Sequence, residues 1–301
     1  MARIAFFGAG LMGEHMAGHL LAAGHQVAVM AHRNREPIDR LVARGASEVS
    51  TPAEAAGRTE AAIMMLPTAS EVEAVIFGRQ GLAERISPGY MVIDMSTGYP
   101  PDTRRIAARF VEMEGRFLDA PVTGGPSGAK NATLTIMVGG DSHILESVRP
   151  LLEAMGEQIH HFGPIGAGHT AKLIQNMIGI IASAGIAEGF ALAAAAGLDV
   201  QQFFQMLTTS TANSPGLQHV VPKVFAREFD KIGFRLDMAY KDIKQATALA
   251  REMTVPLPVA NGATELMQLA RAQGFGNLDS TAMIRGLEAI LGIEVRPRGA
   301  S

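Results

Sequence analysis

Apolar residues follow two different patterns along the chain. In the first part, short continuous apolar runs alternate with stretches whose apolar residues recur at helical spacing. Such runs are typical of strands covered on both faces, and they predict strands over 3–8, 26–31, 61–66, 90–95, 115–122, 133–140 and 158–163. Helices are predicted between them over 11–23, 36–44, 70–77, 100–113 and 142–154. The alternation indicates an α/β fold with a doubly wound, mostly parallel sheet.

The strand pattern stops near residues 163–166, and only helical patterns come after it. One long helix is predicted from Gly168 to Ala196. Further helices are predicted near 199–209, 215–227, 235–252, 258–273 and 280–290. We therefore expect two domains, a nucleotide-binding type of α/β domain over 1–163 and an all-helical domain over 164–301, joined by the long helix.

Composition narrows the class of protein further. A net charge of −3 in 301 residues gives no electrostatic footprint for a nucleic acid partner. The absence of cysteine excludes disulfides and thiolate metal sites. The uncharged run 173–187 is shorter than the roughly 20 residues of a membrane span. We expect a buried core helix there, no membrane partner, no targeting segment and a cytoplasmic enzyme.

A glycine-rich segment directly after the first predicted strand has the spacing of a dinucleotide-binding loop. Gly8, Gly10 and Gly13 lie between that strand and the first predicted helix. Glycines at these positions permit a tight turn, a close approach of the backbone to a pyrophosphate and close helix–strand packing. The helix N-terminus also favours the phosphate charge. We expect this loop, with Leu11 and Met12, to bind a dinucleotide.

The end of the second predicted strand bears on which dinucleotide is bound. An acidic residue there holds the ribose of NAD, whereas an arginine accommodates the 2′-phosphate of NADP. The chain has His32 and Arg33 at this place, Arg35 behind them, and no acid before Glu36. Because a guanidinium matches phosphate geometry, we expect NADP in preference to NAD, with Arg33 at the phosphate. Solvated loop arginines are the alternative, and NAD remains an option.

Three further loops come after predicted strands, at the end of the sheet where such folds bind ligands. Leu66 and Pro67 are placed to pack on the dinucleotide, and Ser96 and Thr97 to offer hydroxyls near the nicotinamide ribose; ordinary turn and capping chemistry is the alternative for both loops. The third loop contains the segment 123–125. Its adjacent glycines expose backbone N–H groups that suit a small carboxylate, but on these residues alone a plain glycine turn between strands is the safer interpretation.

Lys172 stands at the start of the long uncharged stretch. Lys172, Asn176 and Gly179 share one face of the predicted helix, which is otherwise apolar nearly all round and therefore predicted to be buried. From the residues alone, Lys172 is either an edge lysine that reaches water or a proton donor held in a pocket.

Five ordered segments resemble the β-hydroxyacid dehydrogenase family, and the resemblance extends over essentially the whole chain. The segments are GAGLMGEHMAGHL, DMSTGYPP, DAPVTGGPSGAKNATLTIMVGG, GAGHTAKLIQNM and AYKDIKQA. The resemblance implies a Rossmann-type N-terminal domain and an all-α C-terminal domain. It is closest to the tartronate semialdehyde reductase branch, which implies reduction of a small semialdehyde carboxylate and the reverse oxidation.

The resemblance also implies roles for individual residues. Lys172 would be the catalytic lysine, and Asn176 would position the substrate or the lysine. Lys241 and Thr97 would line the nicotinamide end of the cleft, with Asp242 holding that region together. The residues implied to bind the substrate are Thr123, Gly124, Gly125 and Lys241. Those assigned to the cofactor are Gly8, Gly10, Leu11, Met12, Gly13, Arg33, Leu66, Pro67, Thr97 and Lys241.

The implied mechanism is a hydride transfer coupled to a proton transfer. Negative charge develops on the aldehyde oxygen, and Lys172 as an ammonium stabilises that charge and donates a proton. The chain departs from the family pattern in three side chains: Thr123 replaces a usual serine, Ala132 a common glycine and Gln175 a frequent asparagine. The turn after the second strand is also one residue longer, which blurs the alignment of Arg33.

Several alternatives remain open at this point. The substrate alternatives are those of a glyoxylate/succinic semialdehyde reductase or a 3-hydroxyisobutyrate dehydrogenase. A non-catalytic nucleotide-sensing module and an imine reductase are the rivals from other classes, and Lys172 disfavours both. The histidines lack the partners of a metal site, so we expect no metal. The long helix is expected to bury its second face against another subunit, giving a homodimer or homotetramer.

Overall fold

The structure, a computed structural model, describes residues 1–297 and divides into two compact units, Met1–Lys172 and a second unit from Leu173 onward. The strands of the first unit are β1 (Arg3–Phe7), β2 (Gln26–Val29), β3 (Ser47–Glu48), β4 (Ala61–Met64), β5 (Met91–Asp94), β6 (Arg116–Asp119), β7 (Val122–Thr123), β8 (Leu134–Gly139) and β9 (Gly156–Gly163). Its helices are α1 (Gly13–Ala22), α2 (Glu36–Ala43), α3 (Pro52–Ala56), α4 (Ala69–Phe77), α5 (Pro100–Val111), α6 (Gly125–Asn131) and α7 (Ser142–Glu153).

The sheet has the strand order of a Rossmann fold. Strands β3, β2, β1, β4, β5 and β6 lie side by side in that order and pair in parallel. Beyond them, β8 pairs antiparallel with β6 and β7, and parallel with β9. The expected doubly wound, mostly parallel sheet is therefore confirmed. In such a sheet ligands bind outside the carboxyl ends of the strands, at the switch point between β1 and β4, where the order reverses.

The continuous apolar runs have a simple structural reason. In β1, Ile4 and Phe6 belong to one hydrophobic core, and Ala5 and Phe7 belong to another. All four residues are at most 2% exposed. Because successive side chains point to opposite faces, a strand covered on both sides needs apolar residues at every position.

Local elements differ from the sequence-based expectation in a few places. The single strand expected over 115–122 is divided into β6 and β7 by Ala120 and Pro121. The expected glycine turn at 124–125 is instead the start of α6. Short elements such as β3 and α3 were missed because two and five residues are too few to show a period. A 3₁₀ turn occupies Ser280–Met283, where the last helix was expected to begin.

Within the described residues the second unit is helical, as expected. The helices are α8 (Ala167–Ala195), which begins in the first unit, and then α9 (Val200–Thr208), α10 (Pro215–Phe225), α11 (Leu236–Glu252), α12 (Pro258–Ala272) and α13 (Ile284–Leu291). Phe190, Leu236, Ile243 and Met267 are among the residues of its core.

The expectation that α8 is buried all round is wrong for the single chain. Ile174, Ile178 and Leu192 are 46%, 61% and 71% exposed. At 29 residues, α8 is long and apolar enough to cross a membrane by length and composition, and only a third of its most apolar stretch is buried. The length of the helix agrees with the prediction from Gly168 to Ala196, within one residue at each end.

Candidate active site

The glycine loop has the geometry that a dinucleotide requires. Gly8 comes directly after β1 with φ +99, and a Cβ on it would lie 2.2 Å from the Met65 carbonyl oxygen. A Cβ on Gly13 would lie 2.0 Å from the Gly8 carbonyl oxygen, so α1 packs directly on the turn. A Cβ on Gly10, in contrast, would meet no described atom within 4 Å. Gly10 thus faces open space next to the N-terminus of α1, where a pyrophosphate can approach the backbone.

The residues of the glycine loop therefore fit a dinucleotide. Leu11 is 56% exposed and Met12 is half-buried. Met12 also precedes α1 without a side-chain hydrogen bond to its first N–H groups. Of these first groups, the Glu14 N–H donates to the Gly10 carbonyl oxygen over 3.1 Å, which ties the loop to the helix start.

The two arginines after β2 are in different situations. Arg35 donates to both carboxylate oxygens of Glu48, at 2.9 and 2.8 Å, and lies 3.1 Å from Asp39. These acids raise the pKa of Arg35 above its usual value, and the hydrogen bonds with Glu48 make the largest contribution. Arg33 is exposed and forms no hydrogen bond or ion pair with any described residue. Of the two, Arg33 is the guanidinium that remains available to an anion.

The loops after β4 and β5 are tied to each other. The backbone N–H of Leu66 donates to Ser96 Oγ over 3.0 Å, and Ser96 is 1% exposed. The Ser96 hydroxyl therefore holds the two loops together, and the expectation that it faces a cofactor is wrong. Thr97, the next residue, is half-buried, and Pro67 is exposed.

A buried carboxylate stabilises the loop after β5. Asp94, the last residue of β5, accepts a hydrogen bond from the Ser96 N–H over 3.0 Å and is 2% exposed. Burial raises the pKa of Asp94, while nearby His169 and the hydrogen bonds from Ser96 oppose that increase.

The predicted substrate segment lies where β7 passes into α6. Gly124 and Gly125 have φ of +126 and +61 and are exposed, and Thr123 is half-buried. Other residues adopt such positive φ values with strain, so the backbone conformation itself requires glycine at these two positions. Ala132, which ends α6, adopts the left-handed conformation with φ 56, at the position where the family commonly has glycine.

Lys172 and Asn176 lie one turn apart on α8. Lys172, in the first turns of the helix, is 8% exposed, which is unusual for a lysine. Of the two alternatives for Lys172, the burial disfavours the edge lysine that reaches water. The sequence patterns did not identify Asp119 and His169, the two residues that fix the start of this helix.

One carboxylate in the second unit holds two predicted site residues. Asn176 Nδ2 donates to Asp242 Oδ2 over 2.7 Å. The Lys241 ammonium lies 3.0 Å from the other oxygen, Oδ1, as an ion pair without hydrogen-bond geometry. Asp242 is 1% exposed. The resemblance implies that Asp242 holds this region together, and the fold adds its two contacts, with Asn176 and with Lys241.

The histidines have structural contacts. His19, on α1, lies 3.0 Å from each of the carbonyl oxygens of Ala129 and Lys130. His161 lies 2.8 Å from the Gly140 carbonyl oxygen. Across residues 1–297 no group of three or more metal-ligating side chains is placed to hold a metal ion.

Comparison with known proteins extends this picture over the whole chain. Residues 3–163 match the family model of the NAD binding domain of 6-phosphogluconate dehydrogenase, and residues 166–287 match that described as NAD-binding of NADP-dependent 3-hydroxyisobutyrate dehydrogenase. A 2-hydroxy-3-oxopropionate reductase of Escherichia coli is 34% identical, over 95% of this chain and 97% of its own. The chain belongs to the β-hydroxyacid dehydrogenase family.

Two more relatives show how broad that family is. An NAD-dependent L-serine dehydrogenase of Pseudomonas aeruginosa is 36% identical over 93% of this chain and 95% of its own. The solved structure of a 3-hydroxyisobutyrate dehydrogenase of Mycobacterium tuberculosis, with L-serine, is 32% identical and has a TM-score of 0.84. It covers 95% of this chain and 99% of that chain.

This β-hydroxyacid dehydrogenase is thus an NAD(P)-dependent oxidoreductase acting on CH–OH groups, and the resemblance and fold class expected from the sequence are confirmed. The relatives differ in their named substrates. The descriptions also differ in the dinucleotide, since one relative is NAD-dependent and one family model refers to an NADP-dependent enzyme.

Proposed function

We propose that this β-hydroxyacid dehydrogenase reduces a small semialdehyde carboxylate of the tartronate semialdehyde type, and catalyses the reverse oxidation, with Lys172 as general acid and base. The observation that carries the proposal is the burial of Lys172, 8% exposed at the start of an uncharged helix stretch. Burying an ammonium costs free energy, and an active site provides a reason for that cost.

The proposed chemistry divides into binding and proton transfer. The bound dinucleotide supplies the hydride. Lys172 Nζ, as an ammonium, stabilises the charge that develops on the aldehyde oxygen and donates a proton to it; in the oxidation the neutral amine accepts that proton. Asn176, oriented by its hydrogen bond to Asp242, positions the substrate or the lysine.

Substrate and cofactor binding are assigned to the remaining predicted residues. The Thr123 hydroxyl and the backbone N–H groups of Gly124 and Gly125 bind the substrate carboxylate, a role that their exposed positive-φ backbone supports. Thr97 and Lys241 are each assigned to the nicotinamide end of the dinucleotide. Leu66, Pro67 and the glycine loop would hold the dinucleotide.

We infer that the preferred dinucleotide is NADP. Arg33 has no partner among the described residues, whereas Arg35 is engaged by Glu48 and Asp39. A guanidinium left available at the end of β2 supports recognition of the 2′-phosphate. NAD remains usable in this assignment, because it differs from NADP only in lacking the 2′-phosphate that Arg33 would bind.

The variant Lys172→Ala tests the proposed function. We expect kcat for aldehyde reduction to fall roughly 10²- to 10⁴-fold, with the dissociation constant of the dinucleotide retained. Lys244→Ala, which removes an exposed lysine on α11, is the matched control and should keep its turnover. Near-normal turnover of Lys172→Ala would refute the assignment.

A substrate panel addresses the substrate itself. Tartronate semialdehyde, glyoxylate, succinic semialdehyde and the aldehyde derived from 3-hydroxyisobutyrate are compared by NADPH and NADH consumption. Amine formation from a ketone and an amine tests for an imine reductase. No turnover with any aldehyde would favour a nucleotide-sensing module instead.

Three further expectations remain predictions. The exposed face of α8, with Ile174, Ile178 and Leu192, supports assembly into a homodimer or homotetramer, and a monomer in light scattering would contradict it. The domain boundary at 163/164 and the cytoplasmic location also stay predictions from the sequence.

A further inference from the structure

The N-terminus of α8 is capped in an unusual way. Helices normally begin with a residue whose side chain accepts hydrogen bonds from the first N–H groups. α7 does so, because Asp141 accepts from the N–H groups of His143 and Ile144 at 2.7 and 3.2 Å. The residue before α8 is Gly166, which has no side chain to offer. The donors at the start of α8 therefore need an acceptor from elsewhere.

That acceptor is Asp119, the last residue of β6. Its Oδ1 accepts from the Gly166 N–H and its Oδ2 from the His169 N–H, each over 2.7 Å. In a capping box, two side chains of the helix itself satisfy these two donors. Here a single carboxylate from a strand satisfies both, and it is 0% exposed. Asp119 thus fixes the helix to the sheet and not only to its own first turn.

Close backbone packing reinforces this attachment. A Cβ on Gly139 would lie 2.5 Å from Asp119 Oδ1, and a Cβ on Gly168 would lie 2.8 Å from the Asp119 carbonyl oxygen. Both glycines therefore permit the end of β8 and the start of α8 to contact Asp119 directly.

The His169 side chain attaches the same helix turn to the loop after β5. Its Nε2 lies 3.0 Å from the Ser96 carbonyl oxygen, and its Nδ1 lies 2.7 Å from Thr103 Oγ1. Since a carbonyl oxygen only accepts, Nε2 is the nitrogen that carries a hydrogen toward Ser96. His169, Ser96 and Thr103 are each at most 1% exposed. A Cβ on Gly98 would lie 3.0 Å from the imidazole Cε1, so the loop backbone packs against the ring.

These contacts join three segments that carry predicted site residues. The loop held by His169 contains Thr97, β6 leads into the segment of Thr123, and Lys172 lies three residues after His169 on the helix. Residues three apart are neighbours on a helix surface, so a displacement of His169 also moves Lys172.

We propose that Asp119 and His169 are positioning residues that fix the first turn of α8 against the ends of β5 and β6 and thereby set the place of the Lys172 ammonium. The inference rests on the proposed function of Lys172. A misplacement of about 1 Å in a reacting group can lower a rate on the order of 10²-fold, so a loose helix start would be visible in turnover.

A double-mutant cycle tests the proposal. Asp119→Asn keeps the shape of the side chain, but its NH₂ group faces an N–H donor, so one of the two capping bonds is lost. We expect single-turnover hydride transfer to slow about ten- to a hundredfold when Lys172 is present, and less than about twofold in the Lys172→Ala background. Equal factors in both backgrounds would mean a purely structural role and would overturn the proposal.

Two further variants make the result unambiguous. Asp141→Ala removes the acceptor that caps α7 in the same unit and is the matched control, expected to lower Tm with unchanged hydride transfer. His169→Gln keeps a donor for the Ser96 carbonyl but loses the bond with Thr103, and it replaces Asp119→Asn in the cycle if that variant does not fold. It should show the same dependence on Lys172, and equal factors in both backgrounds would again overturn the proposal.

The failure of the proposed function looks different. If Lys172→Ala alone turned over normally, the assignment of Lys172 would be wrong, whatever the Asp119 variants do. If Lys172→Ala were impaired and the Asp119 variants were as active as the native enzyme, only the positioning role would be wrong.

Discussion

The two compact units present their predicted site residues in different ways. In the first unit most of them lie in loops after strand ends, and the roles proposed for Gly8, Gly10, Gly124 and Gly125 depend on backbone alone. In the second unit, Asn176 and Lys241 are side chains on helices and share one buried carboxylate, Asp242. The glycine sites depend on the absence of a side chain near the backbone. The helix site depends on one carboxylate that contacts two other site residues. The two kinds of site should therefore respond differently to substitution.

The largest effect is expected at the shared carboxylate. Asp242→Ala removes the acceptor of Asn176 and the counter-charge of Lys241 together, so both lose their fixed orientation. We expect kcat/KM for the aldehyde to fall on the order of 10²-fold or more, because misplacing reacting groups costs about that much. The control is Asp237→Ala. Asp237 lies on α11 like Asp242 but pairs with Arg271, and its loss should leave kcat/KM within about twofold. Equal losses in both variants would contradict the positioning role of Asp242.

A backbone site should lose affinity and keep its stability. Gly10→Ala adds a methyl group where no described atom lies within 4 Å, so the fold accepts it, but a pyrophosphate close to the backbone does not. We expect the dinucleotide dissociation constant, measured by fluorescence titration, to rise about tenfold or more, equivalent to roughly 1.4 kcal/mol. Gly262→Ala, which also meets open space but lies within α12, should leave affinity unchanged and raise Tm slightly. Unchanged binding by Gly10→Ala would place the pyrophosphate elsewhere.

A smaller effect, on the KM of only one dinucleotide, is expected for a variant in the turn after β2. Arg33→Ala should raise KM for NADPH about tenfold and leave KM for NADH nearly unchanged, since a charge-assisted hydrogen bond to phosphate contributes roughly 1.5–3 kcal/mol. Arg35→Ala serves as the comparison, because Arg35 is already engaged by Glu48. A native preference for NADH would show that Arg33 does not select the dinucleotide.

The smallest expected effect concerns stability alone. Ala132 ends α6 with a left-handed backbone, which costs an L-residue about 1–2 kcal/mol. Ala132→Gly relieves that strain but adds flexibility to the unfolded chain, so the free energy of unfolding should rise by about 0.5–1 kcal/mol. Urea denaturation measures it. Ala129→Gly, within the same helix, should lower stability instead.

The sequence predicts the fold well where a local pattern carries it. The apolar runs of β1, β4 and β5 are continuous because both faces of the sheet are covered, and this shows in the sequence. The glycine spacing likewise reports local backbone requirements. In contrast, Gly124 and Gly125 predict a turn where α6 begins, because they indicate only where the chain bends and not which element begins there.

Contacts between distant segments could not be predicted. Asp119 looks like the end of a strand in the sequence, and nothing near it identifies Gly166 as its partner. The same is true of Ser96, whose hydroxyl seemed available until the fold placed the Leu66 N–H against it. Such residues are not part of any periodic apolar pattern or motif spacing. Their partners can therefore be identified only from the three-dimensional structure.

The pairing of Arg35 with Glu48 and Asp39 has an evolutionary consequence under the proposed assignment of Arg33. Discrimination between NAD and NADP then depends on the solvent-facing residue Arg33, while Arg35 stabilises the turn through its ion pairs. A substitution at this residue could change the preferred dinucleotide during evolution without disturbing the sheet or its two hydrophobic cores.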